Sequence, residues 1–516
     1  MLGNQKIKRQ RPLFARLTRD AAIGAGICLA FSGCAVGPDF KVPDSPVAAG
    51  SKSYTSTALP SHTAAADAPA GAAQRFVLAK DIPAQWWEVF HSESLDRLVR
   101  LALAQNPTLA SAQAALRQAQ ENYNAQAGTL DYPNVGAQLG ATRERASALT
   151  AGVPGGAVFN LYNASVTVGY TLDVFGASRR ALEGAQANVD YQRYQLEAAY
   201  LALTANVVTT AIKEASLRAQ LQATHRVLAA QQEQQRLIEK QFALGAIPRT
   251  TILSQRNQVA QTAATLPGLE KALAQTRHQL SVYAGRLPSA AGLPEFTLDS
   301  LALPRELPVS LPSALARQRP DVRASEALLH AASAQVGVAT ANQYPQFSLS
   351  GSYGSSSMEA GNLFGGGTGI WNLAANLTQP IFNGGALSAR RRAAVAAYDQ
   401  AAAQYRSTLL TAFQNVADSL RALESDAATL KAQAEVEAST RQSLQLASAQ
   451  YKLGAVSYLS LLDAQRTYQQ ASIALVQAEA ARYADTAALF QSLGGGWWNR
   501  QASAAAAQPE DAAAKK

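Results

Sequence analysis

Residues 160–180 read NLYNASVTVGYTLDVFGASRR, and the way this stretch changes period decides the fold. Val166, Val168, Tyr170 and Leu172 alternate with Thr167, Gly169 and Thr171, which is the period of a strand with one apolar face. After Phe175-Gly176 the alternation stops, and neither Gly nor Pro occurs from Ala185 to Leu244, 60 residues. A barrel-type strand therefore feeds a helix far longer than a compact globule contains. The same change recurs: Ile370–Phe382 alternates through Leu373, Ala375 and Leu377, Phe382-Asn383-Gly384 echoes Phe175-Gly176, and Ala386–Leu453 is again free of Gly and Pro over 68 residues.

Outward from these two points the chain is a repeat. Tyr132-Pro133 returns as Tyr344-Pro345, and Leu244-Gly245-Ala246 as Leu453-Gly454-Ala455, with offsets of 212 and 209. A fixed internal period means two copies of one structural unit sharing a body. Each copy runs helix, strand pair, very long helix, Gly turn, helix. Pro133–Arg145 pairs naturally with Asn160–Phe175, and Pro345–Ser357 with Ile370–Phe382, across the Gly/Ser-rich stretches 146–158 and 358–368. The preceding helices, Ser94–Ala127 and Pro312–Asn342, are interrupted at Asn106-Pro107 and Arg319-Pro320, since proline lacks the N–H of an interior helical bond.

Strands of about ten alternating residues are the signature of a membrane barrel. Four strands cannot close one, and open sheet edges are not tolerated in lipid. Three chains would supply twelve strands, within the known range. At 1.5 Å per residue the long helices reach about 90–100 Å, and helices of that length need neighbours as in coiled coils. Gly245 and Gly454 supply left-handed caps at which each chain turns back. The expected fold is thus an α+β membrane protein on an internal two-fold repeat, in which four strands per chain are completed into a β-barrel by other chains and continue into a tube of long helices.

The net charge of +9 is uneven. Residues 1–33 carry six Lys and Arg against Asp20, leaving +4 for all the rest, so no nucleic-acid partner is implied. The segment reads as a basic n-region and an apolar run, Ala21–Phe31, too short to span a bilayer. It ends in Ser32-Gly33-Cys34, which resembles the lipobox of bacterial lipoproteins; that resemblance implies cleavage before Cys34 and its lipidation, and Ala35 implies outer-membrane sorting. Cys34 would be the sole remaining thiol, and the five His show no ligand spacing, so neither disulfide nor metal is expected. The organisation read from sequence is 1–33 signal peptide, 34–85 extended tether, 86–300 first repeat, 301–495 second repeat, and 496–516 disordered tail.

The ordered set Cys34-Ala35-Val36-Gly37-Pro38-Asp39-Phe40, Trp86-Trp87, Tyr451–Ala455 and Tyr458-Leu459-Ser460-Leu461-Leu462-Asp463-Ala464-Gln465-Arg466 resembles the TolC-like outer membrane factor family, in its lipidated OprM-type (NodT-type) branch, over roughly residues 34–495. The resemblance implies a homotrimer, a trimeric 12-stranded β-barrel with four strands per chain continuous with a long periplasmic α-helical barrel, that is the outer-membrane exit duct of a tripartite efflux pump. Its partners would be a periplasmic adaptor and an inner-membrane pump of RND type. It would export drugs or other toxic small molecules, with no cofactor beyond the lipid and no enzymatic activity. A type I protein-secretion channel or a non-channel coiled-coil envelope lipoprotein are the alternatives.

The resemblance places Leu459, Asp463 and Arg466 at the family's periplasmic gate. Their i,i+4 and i,i+3 spacing puts them on one helix face, which on spacing alone fits an exposed surface with a local ion pair better than a gate; it is the resemblance that favours the gate. Three copies would form rings, Asp attracting cations and Leu closing the pore by excluding water. Leu244, Gly245, Ala246 and Leu453, Gly454, Ala455 are the expected adaptor-contact tips. Tyr162, Tyr170, Phe347, Tyr353, Trp371 and Phe382 are candidates for aromatic girdles at the lipid boundary.

Overall fold

A computed structural model describes residues 35–43, 53–147, 154 and 156–500. In chain order the elements are β1 (Arg75–Leu78), α1 (Glu93–Gln105), α2 (Pro107–Leu130), β2 (Asn134–Ala146), β3 (Ala157–Leu172), α3 (Ala177–Ala243), α4 (Arg249–Tyr283), β4 (Glu306–Val309), α5 (Pro312–Gln318), α6 (Pro320–Ala341), β5 (Gln346–Ser357), β6 (Gly369–Thr378), α7 (Ala386–Lys452) and α8 (Tyr458–Ser492). The two proline interruptions fall where expected, each Pro becoming the first residue of the next helix. The chain forms two compact units. One is centred on Gln118–Asp190 and Ala327–Ala403; the other comprises Pro43–Arg117, Tyr191–Glu326 and Gln404 onward. Each unit therefore draws on both halves of the sequence, and the compact bodies are not the sequence repeats.

The first unit holds a four-stranded antiparallel sheet in the order β2-β3-β5-β6. Val135 stands opposite Val168, Val168 opposite Gly351, and Gly351 opposite Leu373. Directly opposed residues share a face, so Val135, Leu139, Val166, Val168, Leu349, Tyr353, Trp371, Leu373 and Leu377 lie on one side, all of them exposed. Gln138, Thr142, Asn163, Thr167, Ser350, Ser352, Asn372 and Asn376 lie on the other. One face is thus an apolar band and the other polar. The outer edges of β2 and β6 have no strand partner among the described residues.

Strand ends differ from expectation in a way chemistry explains. Phe175 and Phe382 both fall beyond their strands. Asp173 accepts backbone N–H bonds from Ser178 and Arg179 at 2.9 Å each, so the chain has already turned to start α3. The helix accordingly begins eight residues before Ala185 and contains Gly184. A Cβ at Gly184 would stand 3.5 Å from the Ala334 methyl, an ordinary contact distance, so the glycine faces α6 without the packing requiring it.

The second unit has its core around Trp86, Trp87 and Phe90, all buried, with Trp86 stacked on Phe490 at 5.8 Å and donating to Thr204 Oγ1 at 3.3 Å. Along α7 the buried positions are Tyr405, Leu409, Ala412, Val416, Leu420, Leu423, Ala427 and Leu430, steps of three and four that form a coiled-coil seam. α4 runs unbroken through Pro267.

The tether expected over 34–85 is not extended throughout. Thr63 N–H bonds to Gln74 O at 2.9 Å, and Arg75–Leu78 forms β1, paired in parallel with β4. This stretch folds because Arg482, fully buried on α8, donates to Ala70 O, to Ala72 O at 3.2 Å, to Gln74 Oε1 at 2.9 Å and to Thr63 Oγ1 at 3.3 Å. The tail also begins later than residue 496: Trp497 is buried and donates to Gln318 O at 2.7 Å. Residues 501–516, like the signal segment and Cys34, lie outside the described residues.

Candidate functional site: the paired helix tips

The two Gly turns are built identically. After α3, Ala246 N–H reaches Gln241 O at 2.9 Å and Gly245 N–H reaches Phe242 O at 2.8 Å. After α7, Ala455 N–H reaches Gln450 O at 2.9 Å and Gly454 N–H reaches Tyr451 O at 3.0 Å. This is the 6→1 and 5→2 pairing of a Schellman cap, which requires a left-handed residue. Gly245 and Gly454 supply it, at φ +73° and +74°. Each cap leaves one leucine projecting, Leu244 84% and Leu453 83% exposed. Each turn thus exposes one large apolar side chain that no described residue covers.

The return helices start differently. α4 follows Pro248, whereas Ser457 caps α8 by accepting from Ser460 N–H at 3.3 Å. The two helices are tied by Tyr458, whose hydroxyl bonds Gln255, itself donating to Gln231 O at 2.6 Å. Burial pushes the Tyr458 phenol well above its usual range, so it stays a neutral donor.

Leu459, Asp463 and Arg466 do share one exposed face of α8. Leu459 is 70% exposed, and Arg466 Nη2 meets Asp463 Oδ1 at 3.1 Å with side chains 57% and 74% exposed. Such an exposed pair contributes a few tenths of a kcal/mol. Its larger meaning is charge: each copy of the trio sums to zero, and Ser460 adds no acid one turn earlier.

Behind the position of Cys34, residues 35–40 are clasped by the first unit. Val36 N–H bonds Phe175 O at 3.1 Å, Asp39 bonds the buried Arg180 at 2.6 Å, and Phe40 stacks on His330 at 4.4 Å. Gly37, at φ +100°, lies against Gly337, where any Cβ would stand 2.6 Å from its Cα. Of the aromatic candidates, Tyr162, Tyr170, Phe347, Tyr353 and Trp371 all fall on the apolar sheet face, with Tyr353 directly opposite Trp371. Phe382 does not; it is exposed in the turn after β6.

Sequence reading missed a set of buried charges. Glu214 is fully buried and bridges Arg218 at 2.9 Å and Arg277 at 2.7 Å. Asp426 faces Asp485 beside Arg482, and burial together with Asp485 pushes its carboxyl up to about 7. The available signal was an ionisable residue beside buried apolar positions of a helix, as Asp426 beside Leu423 and Ala427, or Arg482 beside Ala478, Tyr483 and Ala487. No group of His, Cys, Asp and Glu among the described residues could hold a metal ion, and no described helix is long and apolar enough to cross a membrane.

Known proteins with this arrangement are outer-membrane efflux channels. The family model for outer membrane efflux proteins matches residues 98–286 and 311–495. The chain is 32% identical over 418 residues to the pyoverdine export outer membrane protein OpmQ of Pseudomonas aeruginosa, covering 80% of this chain and 87% of that one. It is 29% identical over 470 residues to the probable efflux pump outer membrane protein TtgC of Pseudomonas putida, covering 90% and 93%. The solved outer-membrane channel OprN superposes with a TM-score of 0.80 at 28% identity, over 90% of this chain and all of that one. Two family matches that together span most of the chain leave one conclusion: it belongs to the outer membrane efflux protein family, and is the outer-membrane component through which an efflux system discharges.

Proposed function

We propose that the chain works as a homotrimer in which three four-stranded sheets close a 12-stranded barrel and the long helices form a periplasmic conduit. The observation that carries this reading is the sheet itself: one apolar face, one polar face and two unpaired edges. An edge in lipid leaves N–H and C=O groups without partners, so the sheet must be completed by copies of itself. Along β3, Tyr170 and Tyr162 are eight residues apart on the apolar face, about 27 Å at 3.4 Å per residue, close to the height of a barrel's apolar band. They and Phe347 serve as its aromatic borders. A lipid on Cys34, held near the strand ends by the residue 35–40 clasp, anchors each chain.

The conduit is passive and has no reaction to catalyse; no cofactor beyond the lipid takes part. Leu459 rings narrow the periplasmic end by excluding water, with Asp463 and Arg466 lining the same face. The Leu244 and Leu453 tips dock the hairpins of a periplasmic adaptor, which couples the duct to an inner-membrane pump of RND type. The cargo is drugs or other toxic small molecules.

Planar-bilayer conductance of the purified protein, beside the double variant Leu459→Ala, Asp463→Ala, tests this. Small, rare openings in the wild type and large steady ones in the variant are expected. Equal, large conductance in both would keep the pore and move the gate elsewhere. Inserted protein with no conductance would refute the channel.

A further inference from the structure

Charge is almost absent from the four-stranded sheet. The only charged residues in β2, β3, β5 and β6 are Arg143, Glu144 and Arg145, consecutive near the end of β2. Alternation divides them between the two faces. Arg143 and Arg145 follow Val135, Leu139 and Ala141 on the apolar face, and Glu144 follows Gln138 and Thr142 on the polar one. All three are exposed.

The position of the arginines along the sheet is specific. Ala141 stands opposite Tyr162, Arg143 opposite Asn160 and Arg145 opposite Val158, so the arginines are the next two outward steps beyond the tyrosine border. The other end of the same face closes in Tyr170, Leu172, Phe347 and Leu377, without a charge. A cation on a lipid-facing strand is costly at mid-depth and nearly free at the boundary. An arginine there can lay its stem along the apolar surface and hold its guanidinium among headgroups. That planar fork matches a phosphate with two parallel hydrogen bonds.

The same end of the sheet carries a cleft. The 358–368 loop folds back on β5: Ser355 is buried, and its hydroxyl meets Leu363 O and Thr368 Oγ1, the latter at 2.6 Å. Phe364 projects from this loop, 81% exposed. A cleft of about 640 Å³ lies between it and Leu139, Val166 and Tyr353, three residues of the apolar face. Leu139 precedes Arg143 by four residues, about 14 Å along the strand at 3.4 Å per residue. An apolar slot thus ends in a pair of outward cations.

We propose that this corner of the sheet binds an anionic, phosphate-bearing lipid, its phosphate on Arg143 and Arg145 and an acyl chain in the cleft beside Phe364. The proposal rests on the reading that the apolar face meets lipid. Charge complementarity selects the occupant. A zwitterionic lipid brings its own cation to the phosphate, and a free phosphate ion has nothing to place in the cleft.

Electron paramagnetic resonance of nitroxide-labelled lipids, in proteoliposomes of phosphatidylcholine and the full-length protein, tests this by reporting lipid held against the protein. Labelled phosphatidylglycerol should be held in preference to labelled phosphatidylcholine, about fivefold for each arginine at the sites they border. Arg143→Gln with Arg145→Gln should bring the two lipids level and leave the phosphatidylcholine signal as it was; the corresponding pair of lysine substitutions should keep most of the preference. Should the glutamine variant not insert, 1 M NaCl should level the two lipids on the wild type, the Debye length then being about 3 Å. No preference in the wild type at low salt, or a preference that survives the glutamine substitutions, overturns the proposal. So does inorganic phosphate that removes the preference where chloride of equal ionic strength does not, since the site would then belong to the free ion. Absence of held lipid of either kind would refute the lipid-facing sheet, and the proposal with it.

Discussion

Replacing Arg482 with methionine should loosen one defined stretch of the chain. Arg482 ties residues 63–74 to α8 through Ala70 O, Ala72 O, Gln74 Oε1 and Thr63 Oγ1. Methionine fills most of the volume, so the cavity term is small. What remains is the loss of donors to two carbonyls and an amide oxygen, at about 1 kcal/mol each, or about 3 kcal/mol together. Gln74 keeps its bond to Pro304 O at 3.0 Å and β1 keeps its ladder to β4, so the segment opens locally without being lost. Hydrogen exchange measured by mass spectrometry on the detergent-solubilised protein reads this directly. An opening free energy lower by about 3 kcal/mol makes exchange in peptides covering 63–78 roughly 150-fold faster, with little change along α7. Arg482→Lys, which keeps the charge but cannot span four acceptors, should fall between. Exchange within threefold of wild type in the methionine variant would show that the arginine is not what folds this segment.

Other consequences follow from the same structure. Asp426→Asn should stabilise the protein at pH 8: burial and Asp485 raise the folded carboxyl to about 7, so this group's own contribution is fully present in acid and is lost as pH rises through 7, and the gain from the substitution should vanish towards pH 4 in thermal melts. Gly454→Ala meets nothing within 4 Å, so its cost of about 1 kcal/mol is backbone strain alone, seen as faster exchange in the last turn of α7 at an unchanged melting temperature. Removing the residue 35–40 clasp with Asp39→Ala and Phe40→Ala should mobilise a spin label at Val36, since the exposed Asp39 pair contributes under about 1 kcal/mol and the ring stack a similar amount.

The architecture was legible wherever one element carries one period. Alternation located all four long strands, the proline breaks located the helix pairs, and Leu-Gly-Ala located both tips. It failed where tertiary contact overrides local preference. Helix propensity disfavours Gly184, yet α3 runs through it from Ala177, its start set by Asp173 accepting from Ser178 and Arg179. Residues 53–80 looked like a linker because Pro, Ser, Ala and Gly cannot build a core, and nothing local announces an arginine about 400 positions away that folds them. The candidate gate was half legible. Spacing put Leu459, Asp463 and Arg466 on one face, but that Asp463 is already neutralised within its own chain is a matter of rotamers.

The sheet also sets a timetable. β3 pairs with β5, Tyr162 standing opposite Ser357, 195 positions further on. A ribosome has made the first hairpin long before its neighbour exists, and loop closure over such a span is slow. Throughout that interval the first hairpin offers an unfilled edge and a greasy face. Such a polypeptide needs an escort until its last strands arrive, and truncations after α4 should aggregate rather than insert.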